Sequence, residues 1–173
     1  MTHRLALIAI LAIGCEPAVL ALPQAGAHAD AADSTDGSDG QDGGVPANCE
    51  APQQTQDTGH HNAGLDCMAC HNGQMQAAGA SVWTLAGTLY RSGTTPMVGA
   101  TIRVHTANGQ TLKLTTAQNG NFYTGQAIQF PITVEASSCP DTQGMGDPVQ
   151  GPGVSCNSCH VTGGGAGAPI HLP

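Results

Sequence analysis

A five-residue pattern that occurs twice constrains this chain more than any other feature. Residues 67–71 read Cys-Met-Ala-Cys-His and residues 156–160 read Cys-Asn-Ser-Cys-His, so each is a C-x-x-C-H motif. At this chain's own cysteine and histidine frequencies, two such matches arise by chance about once in ten thousand sequences. The pair is therefore a strong signal that the folded part is organised around two sites, one near each end.

The spacing inside the motif has a chemical purpose. Two thiols three positions apart can each add to one of the two vinyl groups of a haem, and the adjacent histidine then ligates the iron. We therefore predict two covalently bound c-type haems. The residues that carry this prediction are Cys67, Cys70, His71, Cys156, Cys159 and His160.

Two other interpretations of paired cysteines fit less well. A structural zinc site usually has about 15–20 residues between its two Cys-x-x-Cys pairs, whereas residues 71–155 separate the pairs here. A redox-active dithiol typically lies in a βαβ context, and no helical pattern surrounds either motif. The sequence favours haem over both alternatives.

At its two ends the folded part resembles multihaem c-type cytochromes, over residues 59–73 and 154–173. This resemblance implies an electron carrier in which each iron has a second axial ligand. His61 lies six residues before Cys67 and is similar to the distal ligands of bis-histidine cytochromes, with His60 as its runner-up.

The other candidate ligands lie elsewhere in the chain. His171, bracketed by prolines after a glycine run, is typical of a segment that folds back onto a metal, and a solvated residue is the alternative. His105 is a further runner-up, although its alternating segment favours an exposed sheet position. Ligation by Met75, Met97 or Met145 would raise the potential, and the spare histidines favour low-potential bis-histidine haems instead. The sequence leaves open which histidine serves which haem.

The first residues of the sequence predict export. A short cationic start is followed by an apolar run that is too short to cross a bilayer, which is typical of a signal peptide. The run ends in Leu-Ala-Ile-Gly-Cys, which resembles a bacterial lipobox. We therefore expect residues 1–14 to be removed and Cys15 to carry a lipid anchor, with a plain secretory signal as the alternative. Glu16 favours an envelope lipoprotein at the outer membrane or cell surface, facing the periplasm or the exterior.

Residues 15–58 predict a flexible acidic linker. Aspartate recurs at every third position from Asp30 to Asp42, among small and polar residues that offer hardly any apolar surface to bury. A calcium loop is the alternative, but it needs a closing bidentate carboxylate and fixed turn glycines, and neither is evident. With only 4 Lys and Arg and a formal net charge of −8, nucleic acid is excluded as a partner.

Between the two motifs, residues 81–138 predict an all-β domain. Alternation places Trp83, Leu85 and Leu89 on one face of the first strand, and the Asn-Gly pair at 108–109 is favoured in tight type I′ hairpins. The predicted strands are 82–90, 100–106, 111–116, 121–124 and 130–136. The expected fold is mainly β, a small seven-stranded-type β-sandwich flanked by loop-rich haem-binding segments at 59–80 and 139–173.

The order of these features also resembles the prealbumin-like, carboxypeptidase regulatory-like domains. The similar elements are a Gly-Thr-Leu-Tyr strand at 87–90, a Gly-Ala-Thr-Ile strand at 99–102, and turns at 108–109 and 119–122. The resemblance implies a structural or binding module without catalysis, and a generic sandwich is the alternative.

These features predict an electron carrier and not an enzyme, because no nucleophile–base pair or paired carboxylates occur in a structured segment. Its expected partners are other redox proteins, with the membrane reached through the lipid anchor. A homo-oligomer or filament could form through an exposed sheet edge. The alternatives are a dihaem peroxidase-like enzyme, which needs a five-coordinate haem, and an envelope binding or adhesion lipoprotein with structural haems.

The odd number of cysteines, 7 in all, also has an account. Four go to haem and Cys15 goes to lipid, which leaves Cys49 and Cys139 as an even pair in an oxidising compartment. We expect a disulfide between them, with two free thiols as the alternative. Because a core of about 55 residues is small, we also expect the haem-free chain to fold poorly.

Overall fold

The computed structural model describes residues 49–75 and 79–173. The predicted signal peptide 1–14, the lipid site Cys15 and most of the predicted linker lie outside these residues. The described chain is mainly β, as predicted, with two one-turn helices and eight strands. The strands are β1 (Leu85–Ser92), β2 (Thr95–Pro96), β3 (Thr101–Thr106), β4 (Thr111–Thr115), β5 (Asn121–Thr124), β6 (Ile132–Ser138), β7 (Asp141–Gly144) and β8 (Ile170–His171).

The strands form two sheets. The first has the order β2-β1-β5, and β8 also pairs with β1, in parallel. The second is antiparallel, with the order β4-β3-β6-β7. The short strand β8 brings the last part of the chain back onto β1.

The core lies between the two sheets, as in a β-sandwich. Leu85, Leu89 and Phe122 of the first sheet belong to the same buried cluster as Ile102 and Val104 of the second. The predicted inward residues Leu112 and Leu114 pack against this cluster and are partly buried. Period-2 alternation on strands that bury one face accounts for this arrangement.

The five predicted strands are present, with ends shifted by up to three residues. The turn at 108–109 is different from the prediction. A type I′ turn needs a positive φ at both central residues, and of the two only Gly109 has one, at 79°. Strands β2, β7 and β8 were not predicted.

The end of the predicted linker lies against the sandwich. Cys49 forms a disulfide with Cys139, as predicted, with a sulfur–sulfur distance of 2.06 Å. Glu50 accepts hydrogen bonds from Arg103 at 3.0 Å and Lys113 at 2.6 Å on the outer face of the second sheet. Residues 49–58 therefore lead the chain along the domain towards the first motif. Within the described ranges, no helix is long and apolar enough to cross a membrane.

Candidate functional site: two C-x-x-C-H sites that share a wall

Each motif lies on a single turn of helix. Helix α1 spans Met68–His71 with Cys67 as its N-cap, and helix α2 spans Cys156–Cys159 and is followed by His160. The sequence indicated no helix at either motif, because one turn is too short to show a periodic pattern. Residues three apart lie on the same side of a helix, so the turn presents both motif cysteines to one side.

The first motif opens into a cavity of about 280 Å³. Its lining includes Cys67, Cys70 and His71 together with the predicted distal ligand His61 and its runner-up His60. The ring centroids of His61 and His71 are 6.1 Å apart, with 28° between their planes. The structure therefore places His61 beside the motif that it precedes in sequence.

Two groups hold the His71 ring, and a third ring stacks on one of them. Its Nδ1 lies 2.7 Å from the carbonyl oxygen of Ser81, so Nδ1 donates and Nε2 is left with its lone pair. Trp83 stacks on the imidazole with 3.5 Å between centroids and 2° between planes. Tyr123 stacks on the other side of the tryptophan at 4.4 Å and 13°. Trp83 was predicted to face the core with Leu85, but it precedes β1 and packs against the motif.

The segment before α1 is fixed by buried amides. Asn121 donates from Nδ2 to the carbonyl oxygens of Gly59 at 2.9 Å and His61 at 3.0 Å. Two neighbours in the segment have left-handed backbone, His60 with a φ of 59° and Asn62 with 54°. Histidine and asparagine are among the non-glycine residues that adopt this conformation most often. The hydrogen bonds from Asn121 hold the segment in place and set where His61 lies.

A tyrosine–aspartate pair closes the outer side of the first site. The hydroxyl of Tyr123 donates to Asp57 at 2.6 Å. Burial, followed by this hydrogen bond, raises the pKa of Tyr123 to about 12. The same bond, helped by the backbone N–H of Gly59, lowers the pKa of Asp57. The pair ties the segment before the first motif to β5.

The second motif opens into a larger cavity of about 480 Å³, lined by Cys156, His160 and His171. His171 reaches it because β8 pairs with β1, where Leu172 is fully buried and its N–H donates to the carbonyl oxygen of Tyr90. The wall is mostly apolar. It includes Val134, Ala136, Met145, Pro169 and Ile170.

Cys67, Cys70 and Cys156 are free thiols in the described part of the chain. The first motif therefore has both of the thiols that two thioethers need.

The two motifs, far apart in sequence, lie side by side in the fold. Phe122 lines both cavities. Asn157 of the second motif is 3% exposed and donates from Nδ2 to the carbonyl oxygen of Leu65 at 2.8 Å and to Thr88 Oγ1 at 3.0 Å. Its Oδ1 accepts the backbone N–H of Thr88 at 3.0 Å. The two sites are thus separated by a shared wall, which is formed by Phe122, Asn157 and Thr88.

The pKa values of two motif cysteines reflect the burial of the wall between the two motifs. Burial, with a further contribution from Cys67, raises the pKa of Cys156 to about 12. Burial also raises the pKa of Cys67. Both groups are therefore neutral thiols at neutral pH, whereas Cys70 is exposed.

The remaining candidates have other environments. His105 is exposed on β3 and its Nδ1 lies 3.0 Å from Thr111 Oγ1, in agreement with a sheet position. Met97 is 3% exposed in the core and Met75 is 44% exposed, while Met145 lines the second cavity. Met145 is therefore the methionine placed beside a motif.

Several site residues gave no signal in the sequence. Asn157 occupies a variable position inside its motif, and Thr88 and Asn121 read as ordinary strand residues. Their pairing joins residues 33 and 69 positions apart, which local patterns cannot reveal. Trp83, the single tryptophan, was noticed only as an apolar strand residue.

Comparisons of the chain with protein-family models, with curated proteins and with solved structures gave no match.

Proposed function

We propose that this protein is an electron carrier with two covalently attached c-type haems, one at each C-x-x-C-H motif. The observation that carries the proposal is that each motif opens into its own cavity and that each cavity is lined by one of the two histidines predicted as distal ligands. His61 lies with Cys67 and His71, and His171 lies with Cys156 and His160.

The donor groups of the first site fit a haem. Two free thiols are present at the required spacing, and His71 directs Nδ1 to a backbone carbonyl, the arrangement that leaves Nε2 for a metal. His61 would supply the second imidazole, since it lines the same cavity and its ring centroid lies 6.1 Å from that of His71.

The second site fits in part. Its apolar wall and its volume suit a large flat ligand, and His160 and His171 both line it. Cys156 is a free thiol that lines the cavity, whereas Cys159 does not line it. Cys159 would supply the second thioether.

When bound, the haems would supply one-electron chemistry at iron, and the protein would supply position and environment. His71 and His160 would be proximal ligands, and His61 and His171 would be distal ligands. With both axial positions filled by imidazole, no site for substrate is left on the iron, and the potential is kept low relative to methionine ligation. The shared wall at Phe122 supports electron exchange between the two sites within one chain.

The charges favour a cationic partner. Asp66 lines the first cavity and Asp147 the second, and no lysine or arginine lines either of them among the described residues. Complementary charge accelerates association between redox proteins. We propose a donor or acceptor protein with a lysine-rich face at the cell envelope, to which the lipid on Cys15 would tether this protein. A carboxypeptidase regulatory-like sandwich would act as the scaffold.

The test is the visible spectrum of the dithionite-reduced protein with and without carbon monoxide. Two six-coordinate haems predict sharp low-spin bands that carbon monoxide leaves unchanged within minutes. His61→Ala should create a carbon monoxide-binding haem, and the matched variant His60→Ala should not. Rapid carbon monoxide binding by the unmodified protein would instead indicate an open iron and favour the peroxidase-like alternative. Reoxidation by a cationic c-type cytochrome should slow as salt is added.

A further inference from the structure

The stacked rings at the first motif form an ordered column. The imidazole of His71, the indole of Trp83 and the phenol of Tyr123 lie with centroid spacings of 3.5 Å and 4.4 Å and with angles of 2° and 13° between successive planes. Near-parallel contact of this kind restricts the rotation of the first ring, because turning it would lose the face-to-face contact with the indole.

The column is mounted on the rigid part of the fold. The backbone N–H of Trp83 donates to the carbonyl oxygen of His71 at 2.9 Å. The backbone N–H of the next residue, Thr84, donates to the carbonyl oxygen of Thr124 at 2.8 Å. Tyr123 lies on β5 opposite Ala86 of β1. The indole is therefore fixed to the motif through its backbone and to the sheet through its neighbours.

Two contacts together define the orientation of the His71 ring. The hydrogen bond from Nδ1 to the carbonyl oxygen of Ser81, 2.7 Å long, fixes which nitrogen faces the cavity. It does not fix the rotation of the ring plane about that direction. The parallel face of Trp83 does so, because it leaves one plane available to the imidazole.

The second motif has no equivalent. Across residues 49–75 and 79–173, the aromatic contacts include none with His160. The two sites therefore share the motif and differ in how the motif histidine is held. This difference supplies an internal control within one chain.

We propose that Trp83 is a positioning residue that sets the plane of the His71 imidazole and thereby the electronic structure of the first haem alone. This inference rests on the proposed haem at the first motif. Groups around a metal-bound histidine tune the metal through the orientation and basicity of the ring. Since the plane of an axial imidazole determines how it overlaps with the iron d orbitals, the low-spin EPR signal reports that plane.

The experiment compares EPR spectra of the oxidised holoprotein with Trp83 replaced by Leu and by Phe. Trp83→Leu should shift and broaden one of the two low-spin signals and leave the other unchanged. Trp83→Phe retains a flat ring and should restore most of the original signal. A signal unchanged in Trp83→Leu, or an equal shift of both signals, would overturn the proposal.

Two variants of the outer ring keep the test valid if Trp83→Leu does not fold. Tyr123→Leu removes the second layer and should shift the same signal by a smaller amount. Tyr123→Phe keeps the ring and loses only the hydrogen bond to Asp57, so it should leave both signals unchanged. A protein without any haem signal contradicts the proposed function itself, whereas two haem signals that ignore these substitutions contradict only the role of Trp83.

Discussion

Replacement of Asn157 by alanine should weaken the fold at the wall between the two motifs. The side chain is 3% exposed and makes three hydrogen bonds of 2.8–3.0 Å, two of them to Thr88, which is itself fully buried. No other residue of the second motif contacts the segment before Cys67 in this way among the described residues.

The size of the destabilisation follows from the buried groups that lose their hydrogen-bond partner. In Asn157→Ala the backbone N–H of Thr88 loses its acceptor in a site without solvent, which costs about 1–3 kcal/mol. The carbonyl of Leu65 belongs to a residue that is 61% exposed, so water can replace its donor and the loss there is about 1 kcal/mol. Thr88 Oγ1 still donates to Asn121. The free energy of unfolding should therefore fall by about 2–4 kcal/mol.

The assay is urea unfolding of the holoprotein, followed by far-UV circular dichroism. The midpoint should fall with an unchanged m-value, since the exposed surface on unfolding stays the same. Asn72→Ala is the matched control, because Asn72 is also an asparagine beside a motif but is exposed and only accepts the N–H of Gln74. It should change stability by less than about 0.5 kcal/mol. Equal midpoints for the two variants would refute the view that Asn157 joins the two sites.

Three further predictions concern the scaffold. Replacing Cys49 and Cys139 by serine opens a loop that spans 90 positions, which lowers the free energy of unfolding by about 4–5 kcal/mol in the chain-entropy model; a thermal melt with the unmodified midpoint would contradict it. Tyr123 has a pKa raised to about 12, so the stability that it contributes is complete below pH 10 and is lost as pH rises to about 12. Tyr123→Phe should remove that part of the alkaline loss in melts between pH 9 and 12. The haem-free chain should melt at a lower temperature and less cooperatively than the holoprotein, and identical melts would show that the sandwich does not depend on its haems.

The strands of the insert could be predicted from sequence because their alternation is a local property. Ile102 and Val104 alternate with outward residues on β3, and burial follows that pattern closely. Strand β7 has no apolar alternation, and β8 has only two residues. Strand β7 is defined by its hairpin pairing with the preceding β6, and β8 by its parallel pairing with the distant β1. Neither segment carries an apolar pattern of its own that would predict a strand.

The residues of the candidate site also fall into those that the sequence could predict and those that it could not. The motif residues and the histidines His61 and His171 could be picked out because their spacing or position carries a chemical reason. The contacts of Trp83 and Asn157 could not, because they depend on how the sandwich folds the two motifs together.

The central claim is that both motifs carry haem, and the stoichiometry of haem to protein tests it most directly. The protein should be produced in a host that attaches c-type haem, and its pyridine haemochrome should be measured with its intact mass. The account predicts two haems per chain, with Cys159 in a thioether and a single intact disulfide between Cys49 and Cys139. Loss of the first motif in Cys67→Ser/Cys70→Ser should leave one. A chain that carries no haem, or only one, would contradict the account.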